Sequence, residues 1–123
     1  PLFINNEFEN NAIGLDTTLN DLGRMKITQK KEDELKFKVP TLRNIEFSYP
    51  YMHDGRFKRL TDVLNHYTSG IKQSKTLSAP LRQNIVLTSN NKVDLMAFLL
   101  TLSDKKFLFD SKFAYPKEVL KVN

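Results

Sequence analysis

The chain has 123 residues, enough for one domain with its own core, and no apolar run approaches the roughly 18 residues of a membrane span. Nineteen Lys and Arg against fourteen Asp and Glu give a net charge of +5, set in pairs such as Lys30-Lys31, Lys58-Arg59 and Lys105-Lys106. These are not interleaved with aromatics, which argues against a nucleic-acid groove, and the absence of cysteine excludes disulfides, thiolate metal sites and cysteine nucleophiles.

Residues 1–20 read as irregular chain held by Phe3 and Phe8, because the Asn-rich run between them competes for backbone hydrogen bonds. Asp16 to Arg24 predicts a helical turn capped by Thr17 or Thr18 and ended by Gly23. Lys30 to Lys36 predicts a charged, exposed loop. Phe37 to Val39 alternates, and Pro40 keeps it from being a central strand, so an extended crossing segment is expected there. Thr41 opens a helical turn through Asn44, followed by irregular chain with a turn at Gly55.

Thr61 to Thr68 predicts a helix, with Thr61 as N-cap, Asp62 at the favourable end of the helix dipole and Gly70 as a left-handed C-cap. Val63, Leu64 and Tyr67 share one face, which points Tyr67 inward. After a polar loop with Pro80 and an apolar patch from Leu81 to Leu87, the spacing predicts a core helix over Lys92 to Ser103, capped by Thr88 or Ser89. The tail from Asp104 to Asn123, with Phe107, Phe109, Phe113, Tyr115 and Pro116, is expected to wrap the body as irregular chain. The expected fold class is mainly α with long irregular loops, in one domain over residues 1–123.

The unusual chemistry lies between Phe37 and Gly70, which hold both histidines, His53 and His66. His53 reads either as a metal-ligating or proton-handling group or as a loop histidine bonded to backbone. Tyr51, Met52 and Tyr67 read as packing residues, and Arg43 and Arg56 as surface charge. Two histidines without clustered carboxylates make no zinc site, and no phosphate loop or nucleophile elbow is present.

Three segments carry a resemblance: Phe-Lys-Val-Pro-Thr-Leu-Arg-Asn over 37–44, Tyr-Pro-Tyr-Met-His-Asp-Gly-Arg-Phe over 49–57, and Leu60 to His66-Tyr67-Thr68-Ser69-Gly70. Together they resemble the C-terminal haem domain of bacterial di-haem cytochrome c peroxidases and the related methylamine-utilisation di-haem enzyme. Pro1-Leu2-Phe3, Gly23-Arg24 with Ile27-Thr28, and Asp94 to Leu102 are similar to that family in the same order.

The resemblance implies a cytochrome-c-like fold and a periplasmic parent carrying two haem c groups. That parent reduces hydrogen peroxide with electrons from a small redox protein, a cytochrome c or a cupredoxin, and can be a homodimer. The chain starts at Pro1 without methionine and has no cysteine, so it is expected to be an excised or processed piece beginning just after the haem-attachment motif, inactive alone and partnered by an N-terminal haem domain.

In the peroxidases the distal iron ligand is a methionine fourteen residues past the loop histidine; the corresponding position after His53 is Tyr67. Tyrosine there is the pattern of the methylamine-utilisation enzyme, and a phenolate favours oxidised iron where a thioether favours reduced iron. The resemblance thus makes Tyr67 the expected haem ligand, with Met52 as its rival. His53 is expected beside the haem in a catalytic role, and Arg43 and Arg56 near the propionates. Ser48-Tyr49-Pro50 is similar to a family step whose carbonyls bind calcium, which makes Ser48 and Pro50 expected calcium ligands. Two alternatives accompany this reading: a tyrosine-ligated di-haem oxidase acting on a protein, and a non-catalytic interaction domain of the same fold.

Overall fold

Two short extended segments join the start of the chain to its middle. In the computed structural model, which describes residues 2–114, Phe8–Glu9 (β1) and Phe37–Lys38 (β2) pair antiparallel, with Phe8 opposite Lys38 and Glu9 opposite Phe37. The extended crossing segment therefore finds a partner inside the stretch expected to be irregular. Val39 N donates to Glu7 O at 2.9 Å and extends the ladder by one bond.

The chain between these strands differs from expectation in three places. Asp16 is the cap of the expected turn, accepting from Thr18 N at 2.8 Å and Leu19 N at 3.3 Å, where Thr17 or Thr18 was the expected cap. A single helical turn, Met25–Thr28 (α1), follows it and ends on Gln29 in the left-handed region. The charged loop is a 3-10 turn at Lys31–Asp33 whose Asp33 is buried, facing Arg24 at 3.3 Å and Lys36 at 3.9 Å. Desolvation makes an unpaired carboxylate costly, so two cations converge on it.

Leu60–Ser69 forms α2, beginning one residue earlier than Thr61. Thr61 does not cap it. The cap position is Arg59, without a side-chain cap bond, and Arg59 reaches into the first turn to Asp62 at 3.0 Å. Gly70 closes α2 at φ −102°, outside the left-handed region; it is small for another reason, since a Cβ there would lie 2.9 Å from His66 Nδ1.

Ser89–Thr101 forms α3, held at its start by a capping box in which Thr88 Oγ1 accepts from Asn91 N at 3.1 Å and Asn91 Oδ1 accepts from Thr88 N at 3.0 Å. Its far end is clamped by a distant loop: Asn44 N donates to Leu102 O at 3.0 Å, Asp104 N to Asn44 Oδ1 at 2.6 Å, and Ser103 Oγ to Glu46 Oε2 at 2.7 Å. Of the expected core face, Leu99 is buried and Leu95, Met96 and Leu102 are half-buried, whereas Val93 and Leu100 are exposed, as is Phe98. Lys105–Leu108 forms α4, followed by a 3-10 turn at Ser111–Phe113, so this part of the tail is more regular than expected; Tyr115 and Pro116 lie outside the described residues.

Among the described residues the buried apolar ones are Ala12, Ile13, Leu60, Leu64, Leu77 and Leu99. Asn10, 2% exposed, organises the first of them. Its amide donates to Ser74 and Thr76 at 3.2 and 2.8 Å, its Oδ1 accepts from Ala12 N at 2.8 Å, and its carbonyl accepts from Ser78 N at 3.1 Å. Residues 10–13 are thereby locked against 74–78 and laid along α2. The fold is helical with a two-stranded antiparallel sheet and much irregular chain among the described residues.

Candidate functional site

Position along α2 decides what its side chains meet. Leu60 and Leu64 are buried, and His66 is buried beside them at 7% exposure. His66 Nε2 lies 2.7 Å from the carbonyl oxygen of Asn11, and because a carbonyl only accepts, the ring nitrogen is the donor. The rings of Phe57 and Tyr67 pack around it, with centroids at 5.8 and 5.3 Å. Tyr67, next along the helix, is half-buried and turned inward as its helical face predicts.

Asn11 is the residue that sequence reasoning missed. Besides holding His66 through its backbone, it donates from Nδ2 to the Met52 sulfur at 3.2 Å. Burial raises the Tyr67 phenol above its ordinary value, and the Asn11 side chain pulls it partway back. Met52 and Tyr67, fifteen positions apart, thus share one neighbour. No local signal marks Asn11, which sits in a run of polar residues that reads as loop.

The 51–57 loop is folded back on itself by Tyr51 and Phe57, with Tyr51 N donating to Phe57 O at 2.7 Å. Met52, which opens its turn, takes a left-handed backbone, φ 72°, uncommon for a residue with a side chain. His53 lies flat on Phe37, centroids 3.7 Å apart, and partial burial holds it below the ordinary histidine value. The Asp54 carboxylate, 2% exposed, is paired with Arg56, whose Nη1 also donates to Ile13 O at 2.9 Å. Burial pushes Asp54 up, but the Arg56 bonds outweigh it and leave the carboxyl below its usual value. Arg43 lies on the exposed surface, as do Ser48 and Pro50.

The structure therefore brings Met52 and Tyr67 together through Asn11, and places His53, Arg43, Ser48 and Pro50 elsewhere on the surface. Among the described residues no group of three His, Cys, Asp or Glu is arranged to hold a metal ion. The cavity touching Tyr67, with Thr68, Ile71, Leu81 and Ile85, measures about 90 Å³. A larger apolar groove of about 510 Å³ lies between α2 and α3, lined by Leu64, Val93, Met96 and Leu100.

No protein-family model matches the chain. It is 38% identical over 85 residues to the methylamine utilization protein MauG of Methylorubrum extorquens, covering 68% of this chain and 24% of that protein. It is 36% identical to the cytochrome-c peroxidase IdrP1 of a Pseudomonas species, covering 68% and 22%. Its fold matches the crystal structure of a MauG-like protein associated with microbial copper homeostasis, with a TM-score of 0.78 and 31% identity over 90% of this chain and 36% of that one. The chain belongs to the di-haem family of MauG and the cytochrome c peroxidases. It spans about a quarter of the length of these curated relatives.

Family membership implies haem, and the donor chemistry here fits one axial position: a phenol oxygen on an inward helical face is an iron ligand known in haem proteins. Enclosure does not follow from these residues, because 90 Å³ beside Tyr67 is far below the roughly 300–1,000 Å³ of cofactor pockets. The described residues supply one face of such a site. No helix among them is long and apolar enough to cross a membrane.

Proposed function

We propose that this chain is the C-terminal haem domain of a periplasmic di-haem oxidoreductase that reduces hydrogen peroxide with electrons from a small redox protein. The observation that carries the reading is Tyr67: it stands fourteen residues past His53, the distal-ligand spacing that the resemblance implies, and is half-buried on the inward face of α2 with its phenol near Asn11. Haem, when bound, supplies the redox chemistry. This chain's own residues would orient it from one face of the site. Tyr67 would hold the iron through its hydroxyl oxygen. His66, tied to Asn11, fixes the helix beneath it. His53, braced flat against Phe37, handles a proton at its ring nitrogen.

In this reading Arg43 would pair with a haem propionate. Arg56, committed to Asp54 and Ile13 O, does so only through its remaining donors. Calcium would be held through the Ser48 and Pro50 carbonyls together with ligands from the N-terminal haem domain. The test is expression of the full-length protein with haem-maturation machinery. A c-type spectrum and peroxide-dependent oxidation of a reduced donor are expected; a colourless, inert product overturns the reading. Tyr67→Phe should change the resting spectrum and Met52→Leu should leave it nearly intact, and the reverse pattern moves ligation to Met52.

Tyrosine in place of methionine favours a second reading, an oxidase of the MauG type acting on a protein substrate. Peroxide-treated full-length protein that oxidises a partner protein without any small redox protein present would favour it.

A further inference from the structure

Asn11 touches both side chains that compete for the iron. Its Nδ2 lies 3.2 Å from the Met52 sulfur, and its carbonyl oxygen lies 2.7 Å from His66 Nε2, one residue before Tyr67. Methionine sulfur is a weak acceptor, so this bond matters less for its strength than for where it puts the thioether. Met52 is already constrained by its left-handed backbone and by Gly55 N donating to its carbonyl at 3.3 Å. The side chain therefore leaves a fixed point and ends on a fixed donor. On the other side, pinning His66 to Asn11 sets the roll of α2, and with it the direction of the adjoining Tyr67.

We propose that Asn11 is the positioning residue that selects the iron ligand, holding the Met52 thioether aside while the Tyr67 oxygen is presented to haem. This rests on the reading of Tyr67 as ligand. Asn11 acts on both candidates from one residue: the side chain reaches the Met52 sulfur and the Tyr67 phenol, and the backbone holds His66, the neighbour of tyrosine. Side-chain substitution removes the contacts with both Met52 and Tyr67 but leaves the carbonyl that binds His66 in every variant, so the roll of α2 is kept while the selection is tested.

The experiment compares resting optical and electron paramagnetic resonance spectra of the full-length haem-loaded protein and its variants. Asn11→Leu, similar in size but without a donor, should lose part of the wild-type resting spectrum and gain the signature of thioether-ligated ferric haem. Adding Met52→Leu should abolish that new species. Asn11→Asp, isosteric and also lacking the donor, repeats the test should the leucine variant fail to accumulate folded. A wild-type spectrum in both Asn11 variants, alongside a changed spectrum in Tyr67→Phe, overturns the role of Asn11 and leaves the ligand assignment standing. A silent Tyr67→Phe overturns the ligand assignment and the selection with it.

Discussion

The His66 ring and the Asn11 carbonyl, fifty-five residues apart in the chain, meet at 2.7 Å. This bond joins the irregular start of the protein to its best-formed site helix. His66→Phe keeps the ring contacts with Phe57 and Tyr67 but removes the donor, leaving a part-buried carbonyl without its partner. The expected cost is about 1–3 kcal/mol, read as a lowered urea midpoint at unchanged slope.

Gly23 stands where the chain crosses itself. Its φ is +63°, and a Cβ would fall 2.4 Å from the Lys36 carbonyl oxygen, which is backbone and cannot swing away. Arg24 N donates to that same oxygen at 2.8 Å, so the crossing is hydrogen-bonded as well as tight. Gly23→Ala should lose at least about 1–3 kcal/mol through strain and forced displacement, checked by thermal unfolding.

Arg56 and Arg59 both pair with an aspartate, yet only one pair is shielded. The Asp54 side chain is 2% exposed and its arginine also holds Ile13 O, whereas Arg59 is 77% exposed beside Asp62. Arg56→Ala strands a buried carboxylate and should cost about 1–3 kcal/mol. Arg59→Ala should shift the urea midpoint much less, and equal shifts would refute the distinction.

Asp16 gives stability an acid-side dependence. The Thr18 hydroxyl and the Thr18 and Leu19 amides hold its carboxyl below the ordinary aspartate value of 3.8. A carboxylate whose folded pKa is depressed stabilises fully above the unfolded value and loses that contribution as pH falls through the folded one. Asp16→Asn should therefore lower the urea midpoint at neutral pH and converge on wild type as pH falls below the ordinary aspartate value of 3.8, measured as urea midpoints across an acid series.

How much of this is visible in the residues depends on the range over which each feature is decided. The helices at 60–69 and 89–101 are legible because capping and apolar spacing act within a turn or two; Thr88 caps as read, while Thr61 does not, because Leu60 has an inward place to fill. Periodicity marks α3 as apolar but is silent on what covers it, and Val93 and Phe98 stay exposed. The β1 strand has two residues in a polar run and exists only because Phe37–Lys38 returns to it. Asp33 is buried for the same kind of reason, since Arg24 and Lys36 arrive from either side. In the candidate site, the inward direction of Tyr67 follows from its helical position, whereas Asn11 has no local signature: its role comes from Met52 and His66 approaching across the fold.

The clamp on α3 has a kinetic consequence. With only Leu99 buried, little packing restrains the helix, yet a capping box secures its first turn and Asn44 and Glu46 secure the residues that follow its last. Amides at a helix end ordinarily exchange with solvent fastest, because fraying exposes them first. Here Asn44 N, bonded to Leu102 O, and Asp104 N, bonded to Asn44 Oδ1, can be released only when the 44–46 loop lifts away from the helix terminus. Asn44 and Asp104 amides should therefore show one shared protection against deuterium exchange, so that the loop and the end of α3 open as a unit.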